Sequence, residues 1–339
     1  GGSIGSELCR QVLNFEPKKL LLLDRCENGV YEIEMELKAQ AAATALVSLV
    51  KDIQDERSLD EIFSTYKPAV VFHAAAHKHV PLMETNPEEA IKNNVLGTYR
   101  VALAAKNHKA EKFVLVSTDK AVNPTSIMGA SKRIAEMIVQ YLDTRGATEY
   151  MAVRFGNVLG SRGSVVPLFK KQILAGGPVT VTHEEMLRYF MTIPEAVQLI
   201  IQTGALGRGG EVFVLDMGEP VRIMDLAKTL IRLSGFEPYK DIDIKITGMR
   251  PGEKLYEELL TADEKKNVTI HERIFVAEKA ELNEELIKGA MQAFSLFDAA
   301  ALPADLPGTV AYIQKFLPDF QPVTNAKERA LAEAAAGKD

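Results

Sequence analysis

Cysteine is scarce in this sequence: Cys9 and Cys26 are the only two, and neither sits in a CxxC pair. Neither a disulfide framework nor a zinc site follows from that usage, and a reducing cytoplasm fits it. Long apolar runs are also missing. A membrane-spanning helix needs about 18 consecutive apolar residues, and the longest candidate, Ala39 to Val50, is alanine-rich and shorter. No lysine or arginine run is long enough to track a phosphate backbone, and 40 basic against 46 acidic residues leave a formal charge of −6. Nucleic acid is therefore not an expected partner. The front of the chain has neither a methionine start nor a signal-peptide layout, so it reads as cut there. What is present is the composition of an ordinary soluble globular protein, 47% hydrophobic and 25% charged over 339 residues. At roughly 150 residues per domain, that length suits two domains or one large open α/β sheet carrying a smaller lobe.

Strand-like apolar runs alternate with helical stretches in the first half. Leu20 to Leu23 precedes a helical Tyr31 to Ala43, and Val70 to His73 precedes Glu88 to Lys106. Phe113 to Ser117 precedes Ser131 to Leu142, and Met151 to Phe155 closes the series. Such βαβ alternation predicts an α/β fold, a Rossmann-like doubly wound parallel sheet with helices on both faces. After Gly160, glycine and proline punctuate GSRGSVVP and AGGPVTVT. There GEVFVLD and DIDIKIT read as strands, and Ile193 to Thr203 and Ile223 to Ser234 as helices. The expected organisation is a first domain over 1–160, a smaller lobe mainly over 161–323 and interleaved with it, and a tail over 324–339.

A dinucleotide fold needs glycines where a strand turns into a helix, because a pyrophosphate must approach backbone N–H groups at the positive helix end without a Cβ in the way. GGSIG supplies the second half of that device. Gly2 and Gly5, with Ser3 and Ile4 between them, fit the last two glycines of a GxxGxxG turn whose first glycine and strand are absent. Asp24 ends the next strand-like run nineteen residues after Gly5, near the roughly 20 expected for the acid that binds the adenosine ribose. Arg25 beside it suits a 2′-phosphate, so NAD is favoured and NADP stays open. Asp52 and Ile53 follow the apolar SLV, and Ala74, Ala75 and Ala76 follow VVFH. Small residues at strand ends let a cofactor lie against the backbone, although such alanines serve equally as close helix-to-sheet contacts. His77 and His79 stand at i, i+2 with no third ligand, so no metal site is expected.

The strand-like FVLVS runs into Thr118, Asp119 and Lys120, and Met128 follows with Lys132 one helical turn further on. Short-chain dehydrogenases carry a Ser or Thr at this strand end and a Tyr-x-x-x-Lys on the next helix; here methionine holds the tyrosine position, and a thioether takes no proton. Met128 by itself reads as a gap-filler where a helix enters the core. STDKAVNPTSIMGASKRIAE, with GGSIGSE before it and FGNVLGSRGSVVPLF and MRPGEKLYEEL after it, resembles the CapD-like polysaccharide-biosynthesis family of UDP-N-acetylglucosamine 4,6-dehydratases, extended short-chain dehydrogenases. The similarity runs to about Leu260 and is strongest for the membrane-anchored long form, which has Met in place of Tyr.

That resemblance implies the chemistry. A nicotinamide takes hydride from carbon 4 of the sugar, water leaves across carbons 5 and 6, and the hydride returns to carbon 6. By the resemblance Lys120 is the base at carbon 5, Asp119 the acid at carbon 6, and Lys132 the holder of the nicotinamide ribose. A lysine base must be neutral, hence desolvated or beside a second cation, and Lys132 is a candidate for that charge. Asn157, Arg162, Gly163, Ser164 and Val165 lie where the family keeps its sugar-nucleotide contacts. Arg250 and Glu253 in RPGEK match its phosphate and ribose ligands; Arg188 is a further phosphate candidate, and His77 and Lys78 are placed on the substrate side. The resemblance further implies upstream transmembrane helices, hence a full-length protein at the cytoplasmic face of the inner membrane, and a homo-oligomer is the expected assembly. The rival readings are a UDP-sugar 4-epimerase and a non-catalytic cofactor-binding protein.

Overall fold

Alternation of side chains across each strand decides which residues face which layer of helices. The computed structural model describes residues 1–41, 43–261, 264–277, 285, 287–289 and 305–323. Helix α1 (Ser3–Leu13) leads into β1 (Lys19–Asp24), and α2 (Glu27–Lys38) crosses to β2 (Ala45–Val50), which pairs with β1 in parallel from Lys19–Ala45 to Asp24–Val50. After α3 (Glu56–Tyr66) comes β3 (Val70–His73), followed by α4 (Val80–Thr85), α5 (Pro87–Ala90), a π-helical stretch at Ile91–Gly97, and α6 (Thr98–Asn107). The single helix expected over Glu88 to Lys106 is thus a helical run from Pro87 whose middle is π-helical. Proline disfavours helical geometry in the residue before it, and Asn86 (φ −134°, ψ 62°) breaks the chain there.

Strand β4 (Lys112–Val116) ends at a 3₁₀ turn, Asp119–Ala121, and α7 (Ile127–Asp143) leads to β5 (Glu149–Arg154). The remainder is β6 (Asn157–Val158), α8 (Val165–Leu174), β7 (Val179–Val181), β8 (Leu187–Arg188), β9 (Phe190–Met191), α9 (Ile193–Leu206) and β10 (Val212–Leu215). After them come β11 (Val221–Arg222), α10 (Ile223–Leu233), β12 (Ile244–Ile246), β13 (Lys266–Val268), β14 (Ile274–Ala277) and α11 (Leu306–Ile313).

The main sheet runs β13-β14-β10-β5-β4-β3, parallel from β3 to β10 and antiparallel at β14 and β13. Phe113, Leu115, Tyr150 and Ala152 face one way and join a core with α6, α7 and α11. Val114, Met151 and Val153 face the other way and pack with Leu8 of α1 and Val197 and Ile200 of α9. Strands buried on both faces read as continuous apolar runs, which is why KFVLV was legible. A separate core of Phe169, Ile173, Val179, Val181, Ile223, Ile231 and Ile244 holds the smaller lobe, α8, α10 and the parallel β7–β12 pair. Beyond Gly160, β10, β14 and β13 extend the main sheet, α9 packs on one face of it and α11 joins the core on the other. The expected tail, 324–339, lies outside the described residues. Among the described residues no helix is long and apolar enough to cross a membrane.

Candidate active site

Parallel strands end on one side of the sheet, and the dinucleotide motif residues gather there. Helix α1 begins at Ser3 with Gly2 as its N-cap and no acidic residue in its first turn. A Cβ built on Gly2 or Gly5 would meet no atom within 4 Å, so the helix end is open to an anion. Asp24 at the end of β1 lies 2.9 Å from the Gly1 backbone nitrogen and accepts from Cys26 N–H at 2.9 Å. The glycine turn and the carboxylate expected for the ribose therefore meet, and the residues fit a dinucleotide. Ile4 packs onto the sheet and Ile53 is buried; Ala75 and Ala76 are exposed past the end of β3, with Ala74 half-buried before them. Asn94 clamps this segment, accepting from His77 N–H at 2.8 Å and donating to its carbonyl at 2.9 Å.

Two residues expected on the substrate side sit on this side instead. The His77 ring lies 3.0 Å from the Arg25 guanidinium, which also approaches Asp52 at 3.9 Å. Arg162 donates to Gly1 O at 3.1 Å and pairs with Glu32 at 2.9 Å, while its N–H donates to Ser3 Oγ. The reason is the loop around Gly163 (φ +71°), which packs so closely on the His79 ring that a Cβ would lie 2.7 Å from it. That close approach carries the 160–164 segment back over the start of α1. Ser164 is the N-cap of α8, and its Oγ is buried without a protein partner.

The residues expected at the reaction centre gather where β4 ends. Thr118 caps the 3₁₀ turn and donates to Asp119 Oδ1 at 2.8 Å, and Lys120 Nζ donates to the same oxygen at 2.9 Å. Asp119 is fully buried, and its Oδ2 has no partner. One helical face of α7 presents Met128 and Lys132: Met128 is buried in the main core, and Lys132 Nζ donates to Val116 O at 2.8 Å. Burial pushes the Lys132 amine down to about 8, against the pull of Glu136. Lys120 behaves in the opposite way. Burial lowers it, but Asp119 and then Glu257 more than compensate, so it is held above the usual lysine range as an ammonium. Arg188 is a cation acting on it, and Lys78 interacts with it as well, in place of the expected Lys132.

Beside Lys120 opens a cavity of about 220 Å³, lined by Lys78, Asn157, Arg188, Arg250, Glu253 and Glu257 among others. It lies between the strand ends and the smaller lobe. Lys78 Nζ reaches Ser161 Oγ at 3.4 Å, and burial together with Lys120 lowers its amine. Glu253 Oε2 accepts from Arg250 N–H at 3.1 Å. Arg188 lines the cavity with its guanidinium already engaged by the chain. Its guanidinium donates to the carbonyls of Leu187, Lys254 and Leu255 at 2.7–3.1 Å. It braces the 253–257 turn instead of standing free for a phosphate. Glu257 and His79 also line the cavity, where the motifs placed neither. Glu257 had a signal, since it lies in the same MRPGEKLYEEL run as Arg250 and Glu253. Among the described residues no cluster of three or more His, Cys, Asp or Glu could hold a metal ion.

The sequence matches the family described as polysaccharide biosynthesis protein over residues 1–279. The chain belongs to that family. It is 59% identical over 277 residues to the capsular polysaccharide biosynthesis protein CapD of Staphylococcus aureus, covering 81% of this chain and 46% of that protein. It is 52% identical over 307 residues to the probable polysaccharide biosynthesis protein EpsC of Bacillus subtilis, covering 90% and 51%. The chain thus spans about half the length of these curated relatives. A UDP-glucose 4-epimerase of Rickettsia felis is 34% identical over 267 residues, covering 78% and 75%. Among solved structures, Pen from Bacillus thuringiensis superposes with a TM-score of 0.75 at 31% identity, covering 88% of this chain and 96% of that one. DesIV, a dTDP-glucose 4,6-dehydratase from Streptomyces venezuelae solved with NAD and DAU, has a TM-score of 0.67 at 21% identity, covering 76% and 85%. The fold is accordingly that of the extended short-chain dehydrogenases.

Proposed function

We propose that the protein is an NAD-dependent 4,6-dehydratase acting on UDP-N-acetylglucosamine in the cytoplasm, making a UDP-4-keto-6-deoxy-N-acetylhexosamine for polysaccharide biosynthesis. The observation that carries this reading is the Asp119–Lys120 pair, a buried carboxylate and an ammonium 2.9 Å apart, with Lys120 on the wall of the cavity. The open start of α1, with Gly2, Gly5 and Asp24, would hold the dinucleotide, and an ionised Asp24 favours a free ribose hydroxyl over a 2′-phosphate. Lys132 would reach the nicotinamide end. When bound, the nicotinamide supplies a reversible hydride acceptor.

The chain's own residues do the proton work. Transfer of one proton from Lys120 Nζ to Asp119 Oδ1 turns the ion pair into an amine and a carboxylic acid, a base and an acid formed together. The amine takes the carbon 5 proton, the carbon–hydrogen pair becomes the double bond to carbon 6, and the departing hydroxyl takes the Asp119 proton and leaves as water. Arg250 and Glu253, at the far side of the cavity, would take the diphosphate and ribose. An epimerase has no use for this acid and base and needs the phenol that Met128 replaces. Mass spectrometry of UDP-N-acetylglucosamine incubated with cofactor-loaded protein separates the readings. Loss of one water supports dehydration, an unchanged mass with a new carbon 4 epimer supports the epimerase, and unaltered substrate sinks both.

A further inference from the structure

The reaction centre holds one more ionisable group than this dehydration uses. Glu257, its side chain 3% exposed on the cavity wall, places Oε1 3.5 Å from Lys120 Nζ and 3.7 Å from Arg188 Nε. Its Oε2 is buried without a hydrogen-bond partner, as is Oδ2 of Asp119 on the other side of the same lysine. A buried carboxylate left half-satisfied is costly, and folding tolerates it where another function requires it.

We propose that Glu257 is a positioning residue that acts through Lys120: with Asp119 it forms a two-carboxylate clamp that fixes the lysine at the sugar end of the cavity and keeps it an ammonium until the sugar is seated. The inference rests on the roles given above to Asp119 and Lys120.

The charged groups facing Lys120 come from four places. Asp119 in its own turn and Glu257 after β12 favour the ammonium, whereas Arg188 on β8 and Lys78 after β3 oppose it. Glu257 also feels Asp119, Arg188 and Lys254, and burial holds its carboxyl above the usual range. An ionised Glu257 beside the amine works against the proton transfer from Lys120 to Asp119. A sugar seated on the cavity side of Lys120 loosens the 3.5 Å contact with Oε1, so the transfer follows binding. The base is thereby capped in the empty site and released in the filled one.

The test is the titration of Lys120 itself, followed by ¹³C NMR of the lysine side chains in cofactor-loaded protein, with Lys120→Met to assign the signal. Glu257→Gln should lower the titration midpoint by about one pH unit, the usual effect of removing a neighbouring opposite charge. The acid limb of solvent-deuterium exchange into carbon 5 of UDP-N-acetylglucosamine should move the same way, with KM within about threefold of the parent. Glu257→Asp, which keeps the charge but draws it back, should shift both by less. Lys120 titrating as in the parent in both variants overturns the clamp, and so does a raised KM with an unmoved limb, which makes Glu257 a simple sugar ligand. Absence of carbon 5 exchange in the parent, with the titration still shifted by Glu257→Gln, sinks the dehydratase reading and leaves the clamp standing.

Discussion

Asp119 and Lys120 are neighbours in sequence and share one hydrogen bond, yet substitution should separate their roles. Lys120→Met removes the group that takes the carbon 5 proton. Solvent deuterium should no longer enter carbon 5, and absorbance of the reduced cofactor should build without product. Asp119→Asn keeps the shape but donates poorly to the leaving hydroxyl, so water loss should slow by roughly 10²- to 10⁴-fold, the usual worth of a positioned acid, with some exchange surviving. Deuterium entering carbon 5 at the parent rate in Lys120→Met would refute the base. At this scale the catalytic motif was readable because its members lie within one strand end and one helix turn. The protonation state of Lys120 was not, because it depends on Glu257, which arrives from 137 positions away.

Helix α7 shows how one element serves both site and core. Met128, Lys132 and Glu136 follow at four-residue spacing on one face. Met128 fills the core, Lys132 holds the end of β4 through Val116 O, and Glu136 pairs with the fully buried Arg154 of β5 at 2.8 Å. Arg154 also binds Glu264 at 2.7 Å, and Ser117 donates to Glu136 at 2.6 Å. Arg154→Ala would take the buried guanidinium from two buried carboxylates, leaving Glu136 with Arg133 and Ser117 and Glu264 with Thr261 N–H, and should cost about 3–5 kcal/mol, read by urea denaturation. A loss below 1 kcal/mol would mean that water reaches the cluster. On the neighbouring strand, His73 Nε2 lies 2.9 Å from Thr98 Oγ1 of α6. Burial, and then Lys132, push its imidazole down to about 3. The unfolded chain binds that proton below about 6.5 while the folded chain refuses it, so stability falls as pH drops from there towards 3. The fall in Tm between pH 7.5 and 5 should be smaller in His73→Asn than in the parent; equal falls would show that His73 is not the group responsible.

At the scale of the whole molecule, the two proposed ligand sites lie in different parts of the fold: the glycine turn and Asp24 are at the start of α1 and the end of β1, whereas Arg250 and Glu253 sit in the segment after β12. Arg250→Ala and Glu253→Ala should therefore weaken UDP binding by roughly ten- to a hundredfold, the worth of a charge-assisted contact, and leave NAD affinity unchanged. Calorimetric titration with each ligand checks this; UDP affinity in Arg250→Ala within about twofold of the parent would show that the guanidinium does not bind the phosphates.

The alternation of β1, β3, β4 and β5 with α2, α6 and α7, the glycine turn with Asp24, and the Thr118–Lys132 spacing were legible in the sequence alone, because each depends on residues within a few turns of one another or on a repeating apolar pattern, whereas β2 and α3 between them were not. Strands β13 and β14 were not legible: KNV and IFVA are short, and only the pairing of β14 against β10 and of β13 against β14 makes them strands. The destinations of Arg162, Arg188 and His77 were likewise decided by the tertiary fold. An arginine's long side chain reaches whichever carbonyl or carboxylate folding brings near, and its position in a motif does not say which. The same holds for Glu257, since a carboxylate becomes part of a reaction centre only when burial removes water and chain folding sets a lysine 3.5 Å away.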